Sequence, residues 1–212
     1  MSDAACAGRF ITVEGIDGCG KSTQARLLVE DLERAGYDVL ALREPGGVAI
    51  SEKIRALLLD PANVEMSATC ELLLYEAARA QLVHEVVAPA LAEGRVVVCD
   101  RFYDSTTAYQ GYAGGVPLDA VTRANELAVG ACAPDLTLVF DIDPMLAQER
   151  TASRAQDRME AKGMGYQQRV AEGFRAIAAA EPARVKRIDA ARDIDAIHAD
   201  VMAAVQAILP RG

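Results

Sequence analysis

Gly15-Ile16-Asp17-Gly18-Cys19-Gly20-Lys21-Ser22 fits the spacing G-x-x-x-x-G-K-[ST]. Those residue types suit one task. The glycines let the backbone curl until successive N–H groups face one point, and a helix starting beside them adds partial positive charge there. Lys21 supplies a point charge for the β- and γ-phosphates of a nucleotide, and the Ser22 hydroxyl is placed to bind Mg²⁺. Asp100 follows the run Val96-Val97-Val98-Cys99, so a buried strand ends in a carboxylate. That is the Walker-B arrangement, in which the acid holds Mg²⁺ directly or through water. The bland alternatives are a ligand-free glycine turn and an aspartate that caps the next turn.

A phosphate cradle names a nucleotide, not a reaction. A GTPase switch would carry N-K-x-D and D-x-x-G, but the chain has no N-K-x-D, and Asp100 is followed by Arg-Phe-Tyr. A phosphotransferase must neutralise a second anionic substrate facing ATP. Arg43, Arg55, Arg79 and Arg101, with Arg150, Arg154 and Arg158 later in the chain, can supply that charge. The net charge of −9, from 22 Lys+Arg against 31 Asp+Glu, argues against general nucleic-acid binding. A small anionic ligand needs only local positive charge.

Five cysteines without a C-x-x-C pair argue against a disulfide framework or a zinc site, and fit a reducing compartment. His84 and His198 read as helix-surface residues and not as metal ligands or a triad base. No apolar stretch at the N-terminus or elsewhere reads as a signal or membrane span, which leads to the expectation of a cytoplasmic protein without membrane contact.

The elements that must position these residues follow from periodicity. Strands are expected at Arg9–Glu14, Asp38–Leu42, Arg95–Cys99, Leu136–Ile142 and Arg184–Asp189. Helices are expected at Ser22–Ala35, Ile50–Leu59, Ala68–Glu93 (disturbed near Pro89), Asp104–Gln110, Leu118–Ala131, from Pro144 to about Ser153, Tyr166–Ala180 and Ile194–Leu209. Asp143-Pro144 reads as an N-cap followed by proline at the first helical position. Strands separated by helices imply an α/β fold: a five-stranded parallel sheet with helices on both faces, in three layers. Ligands in such sheets bind at the carboxyl ends of the strands. At 51% apolar, the 212 residues make one domain, with a polar, glycine-containing segment at 152–165 expected to be a short lid.

GIDGCGKS, REPGG, YEAAR, DRFYDSTTAYQG, PDLTLVFDI and DRME, in this order, resemble the bacterial type of thymidylate kinase from Phe10 to Leu209. Adenylate and guanylate kinases share the phosphate-loop architecture but lack REPGG and DR-x-x-x-S-x-x-A-Y-Q. The resemblance implies transfer of the γ-phosphoryl group of ATP to thymidine 5′-monophosphate with Mg²⁺, by a homodimer. The weaker alternatives are a broader pyrimidine monophosphate kinase and a nucleotide switch without phosphotransfer. It implies that Asp17 accepts from the sugar 3′-OH, and that Arg101, Arg43 and Arg55 face the acceptor phosphate. It implies further that Tyr75 stacks on the pyrimidine and that Arg79 donates to its O4. Thr106 and Gln110 would bond the base edge, and Tyr109 would crowd C2′. Glu44 would precede a cis Pro45, and Arg154 and Arg158 would bring catalytic charge when the lid closes. Phe102 stands where the family often has tyrosine, and is expected to pack. Asp189–Arg192 would lie by the adenine.

Overall fold

Strand β1 (Arg9–Glu14) is almost wholly buried along its length, as a central strand covered on both faces requires. The computed structural model describes residues 8–151 and 158–209. It sets β1 between β3 (Val96–Asp100) and β4 (Leu136–Asp141), with β2 (Val39–Arg43) and β5 (Val185–Asp189) at the edges, in the order β2-β3-β1-β4-β5. Every pairing is parallel. The register sets Asp100 opposite both Val13 and Arg43, so three strands end side by side.

Alternation along β1 divides the core in two. Ile11 and Val13 join Leu28, Leu32, Leu138, Phe174 and Val201 on one face. Phe10 joins Leu82, Val87, Val97 and Phe102 on the other. The helices that cover these faces are α1 (Lys21–Arg34), α2 (Ala49–Leu59), α3 (Ala68–Leu82), α4 (Ala88–Ala92), α5 (Tyr103–Thr106), α6 (Leu118–Val129), α7 (Pro144–Thr151), α8 (Met164–Ala180) and α9 (Ile194–Gln206). The expected cap at Asp143 is present, its carboxylate accepting from Met145 N at 2.8 Å. Among the described residues, no helix is long and apolar enough to cross a membrane.

Two helical expectations change in the structure. The stretch Ala68–Glu93 is not uniform: a π-helical turn spans Val83–Val87, and Ala88 N–H reaches back five residues to Val83 O. Pro89 explains the site, because it has no N–H to continue the narrower ladder. The short helix expected at Asp104–Gln110 runs on as a wider turn over Thr107–Ala113. That segment packs on α8 at Gly173, where a Cβ would stand only 2.8 Å from Tyr112 Cβ.

Candidate active site

The carboxyl ends of β1, β2 and β3 open into one cleft, lined by the loop after β1, the turn after β3, and side chains of α2 and α3. The loop Gly15–Ser22 curls as its glycines allow. Gly18 has φ 85°, and a Cβ there would fall 2.2 Å from Ala147 O. Ile16 and Cys19 turn their side chains into the core and Gly20 caps α1, so these three offer backbone to a ligand. Lys21 is buried and donates to Asp17 Oδ1 at 3.2 Å and to Ile16 O at 3.5 Å.

Ser22 Oγ donates to Asp100 Oδ2 at 2.5 Å. The second oxygen, Asp100 Oδ1, is buried without a hydrogen-bond partner among the described residues. An unshared carboxylate oxygen beside a hydroxyl is a donor set for a hard cation such as Mg²⁺. Among the described residues, no group of three or more His, Cys, Asp or Glu side chains is placed to hold a metal. An ion here therefore needs further oxygens, which nucleotide phosphates supply.

Arg101 faces the same loop. Its Nη2 donates to Asp17 Oδ1 at 2.8 Å, and its Nη1 to Gly15 O and Ser105 Oγ, each at 3.1 Å. The guanidinium also lies over the Tyr109 ring, 5.2 Å from its centroid. Burial alone would raise the Asp17 pKa, but Arg101 and Lys21 outweigh it and hold the carboxyl well below its usual range. Asp17 is thus a fixed anion that aims two cations.

On the opposite wall, Glu44 precedes a cis Pro45, as the resemblance implied. Arg79 is buried and donates to Glu44 at 2.9 Å, to Glu76, and to Thr106 Oγ1 at 3.0 Å. The ion pair of Arg79 with Glu76, one helical turn before it, is buried and not at the surface. Burial pushes the Glu44 carboxyl up to about 7 against the pull of Arg79. Arg43 and Arg55 converge on Pro45 O at 3.0 and 2.8 Å, and Arg43 also pairs with Glu52 at 2.9 Å. Tyr75, half-buried, lines the cleft beside Arg79. Gln110 lines it too, and its amide donates to Glu71 at 2.9 Å. Phe102 packs fully buried, as expected.

Arg158 is not brought to the phosphate loop. It is buried, with Nη1 2.6 Å from Glu71 Oε2 and Nε donating to Leu58 O at 2.7 Å. Lys162 reaches the same carboxylate at 2.9 Å. Met159 beside it is buried in the core, so this part of the segment packs more firmly than its polar composition suggests. Arg154 lies outside the described residues. Arg150 donates to Ala190 O at 3.3 Å. His198 lies on a helix, α9, as expected. It is half-buried, 3.0 Å from Gln24 Oε1 and 3.1 Å from Asp31 Oδ2 of α1. Cys19, Cys70 and Cys99 are free thiols.

Sequence reasoning missed Ser105 and Glu14. Ser105 lines the cleft and bonds Arg101. Its signal was its place as the serine of DR-x-x-x-S-x-x-A-Y-Q, four residues after Arg101. Glu14 read as an apolar strand's last residue, yet it is fully buried beside that turn.

A family model described as thymidylate kinase matches residues 13–201. The thymidylate kinase of Symbiobacterium thermophilum is 48% identical over 202 residues, spanning 95% of this chain and 94% of that protein. That of Geobacter sulfurreducens is 47% identical, spanning 89% and 92%. The crystal structure of thymidylate kinase from Ehrlichia chaffeensis superposes with a TM-score of 0.77 at 34% identity, covering 94% of this chain and 98% of that one.

Proposed function

The chain belongs to the thymidylate kinase family and is a phosphotransferase that phosphorylates dTMP with ATP; from that premise we propose how its residues divide the work. The observation that carries the assignment is one cleft with two halves. One half is the Lys21–Ser22–Asp100 cradle, suited to the β- and γ-phosphates. The other holds Tyr75, Arg79, Thr106, Tyr109 and Gln110, suited to a pyrimidine deoxynucleotide. Arg101 and Asp17 stand between them, with Arg43 and Arg55 on the acceptor side.

The acceptor phosphate is itself a nucleophile, so the reaction needs no general base. The work is positioning and charge compensation, because a loose transition state spreads charge over the equatorial oxygens. Lys21 and the loop N–H groups hold the donor phosphates. Arg101 grips the acceptor phosphate. Asp17 orients both cations and accepts from the sugar 3′-OH, a hydroxyl that deoxynucleotides keep. Tyr75 stacks on the base, Arg79 and Thr106 bond its edge with Gln110, and Tyr109 fills the space a 2′-OH would need. Ser22 and Asp100 would hold Mg²⁺, which when bound neutralises phosphate charge.

The segment 152–165 acts as the lid in this reading. Arg154 is its candidate for the transferred phosphoryl group. Arg158 serves as an anchor, and reaches the phosphates only if its pair with Glu71 opens. The protein works in the cytoplasm as a homodimer. An ADP-release assay across dTMP, dUMP, UMP, dCMP and AMP tests the substrate half. dTMP is expected to give the highest kcat/KM, and comparable rates with dUMP and UMP would replace the narrow specificity with a broad pyrimidine one.

A further inference from the structure

Glu14 ends the central strand and is fully buried, and among the described residues its carboxylate forms no salt bridge. Oε1 accepts from Phe102 N–H at 2.7 Å and from Ser105 N–H at 3.3 Å, and Oε2 accepts from Ser105 Oγ–H at 2.5 Å. These donors belong to the turn that carries Arg101. Among the described residues Arg101 is the one non-glycine residue at positive φ, at 73°. Such a backbone is strained for an arginine and persists only where the surroundings over-determine it.

β1 supplies that determination on both sides of the strained residue. Val13 O accepts from Arg101 N–H at 2.9 Å, and Glu14 accepts from the next N–H. Ser105, having given its proton to Glu14, offers its lone pairs to Arg101 Nη1 at 3.1 Å. One carboxylate therefore fixes the backbone of Arg101 and, through Ser105, its guanidinium. We infer that Glu14 is a positioning residue for phosphoryl transfer, acting through Arg101. The inference rests on the reading of Arg101 as the grip on the acceptor phosphate.

Charge is costly at this depth, so the ionised form, which accepts at both oxygens, prevails only above about pH 8. Burial and the neighbouring Asp104 push Glu14 up to about 8, while Ser105, Arg101 and the Phe102 N–H pull the other way. Asp104 does not compete for the same donors. It turns to Arg184 and Thr137, at 2.7 and 3.0 Å. A glutamine at 14 keeps the volume but cannot accept at both ends. If its oxygen takes the two N–H groups, its amide nitrogen confronts Ser105 Oγ, which loses its acceptor.

Initial rates on the purified, full-length protein at about pH 9, where Glu14 is ionised, test this, with KM measured for dTMP and for ATP and with melting temperatures recorded. Glu14→Gln is expected to raise KM for dTMP about tenfold, the worth of one charged hydrogen bond, while KM for ATP changes by less than about twofold. Arg101→Ala is expected to raise KM for dTMP further. Added to Arg101→Ala, Glu14→Gln should change dTMP kinetics by less than about twofold, because the group it acts through is gone. Should Glu14→Gln not fold, Ser105→Ala takes its place in the same comparison with the same expectations. If Arg101→Ala impairs dTMP use but the Glu14 or Ser105 variant does not, the positioning role is overturned and the reading of Arg101 stands. A full independent effect on top of Arg101→Ala overturns it likewise. If Arg101→Ala leaves dTMP kinetics unchanged, the reading of Arg101 falls, and this inference falls with it.

Discussion

Lys21 and Arg79 both lie in the cleft, but they are tied differently, and their variants separate binding chemistry from folding. Lys21 leans on Asp17 and a loop carbonyl, contacts a phosphate can replace. Lys21→Ala is expected to keep its melting temperature and to lose turnover by a factor of about 10² or more, since charge compensation in the transition state is removed. Near-normal kcat in the folded variant would refute that role. Arg79 is different, because Glu44 and Glu76 are both buried against it. Arg79→Ala leaves two buried carboxylates without their cation, so it should destabilise the protein by about 3–5 kcal/mol as well as raise KM for dTMP. Urea unfolding followed by circular dichroism measures the first effect and steady-state kinetics the second. Salt bridge and ligand contact are not rival roles for this side chain.

Two elements hold the base-recognition half in place. The wide turn Thr107–Ala113 carries Tyr109 and Gln110, and it lies on α8 with glycine at the closest approach. Gly173→Ala would set a Cβ against Tyr112, an overpacking that costs about 1–3 kcal/mol. The variant should therefore melt earlier and also bind dTMP more weakly, because the turn must shift to accommodate it. A lowered melting temperature with unchanged dTMP kinetics would show that the turn does not transmit the strain. The segment after residue 157 is pinned to α3 by Arg158 and Lys162 on Glu71. Arg158→Ala should lower stability while Lys162 still partly compensates Glu71. Comparing its kcat with its urea midpoint distinguishes an anchor, which moves the midpoint more, from a catalytic cation, which moves kcat more.

Across the whole molecule, two buried carboxyl groups set part of the pH response. Glu14 and Glu44 are pushed up from 4.5 to about 8 and about 7. In the unfolded chain both ionise near 4.5, so between that pH and about 8 the folded state binds more protons. Their contribution to stability is therefore greatest at or below pH 4.5 and declines as pH rises towards 8. Asp17 acts in the opposite sense: its carboxyl is held low by Arg101 and Lys21, so its contribution is present above its ordinary range and lost in acid. Urea midpoints measured at pH 5 and pH 8 should show the alkaline decline, and Glu44→Gln should flatten it. A midpoint that rises from pH 5 to pH 8 would contradict the assignment of both glutamates.

Much of this protein is local in origin and so was readable from the chain alone. The phosphate loop needs glycines, a lysine and a hydroxyl at fixed spacing, and the strand run Val96–Cys99 places Asp100 by simple continuation. The alternation of apolar strands and amphipathic helices sets the parallel sheet and both covered faces. Partner choice among charges is not local. Arg79 could face solvent or carboxylates at the same helical spacing, and only the approach of β2 and the turn after β3 buries it between Glu44, Glu76 and Thr106. Arg158 sits in a polar, glycine-containing stretch that reads as loose, and it is Glu71, 87 positions earlier (158 − 71), that draws it inward. Glu14 is one strand residue among others until the fold brings the chain around residues 102–105 against it and the buried N–H groups require an acceptor. Spacing along a chain fixes which backbone groups can meet. Which long side chains pair with which depends on distances and desolvation that exist only after the strands have assembled.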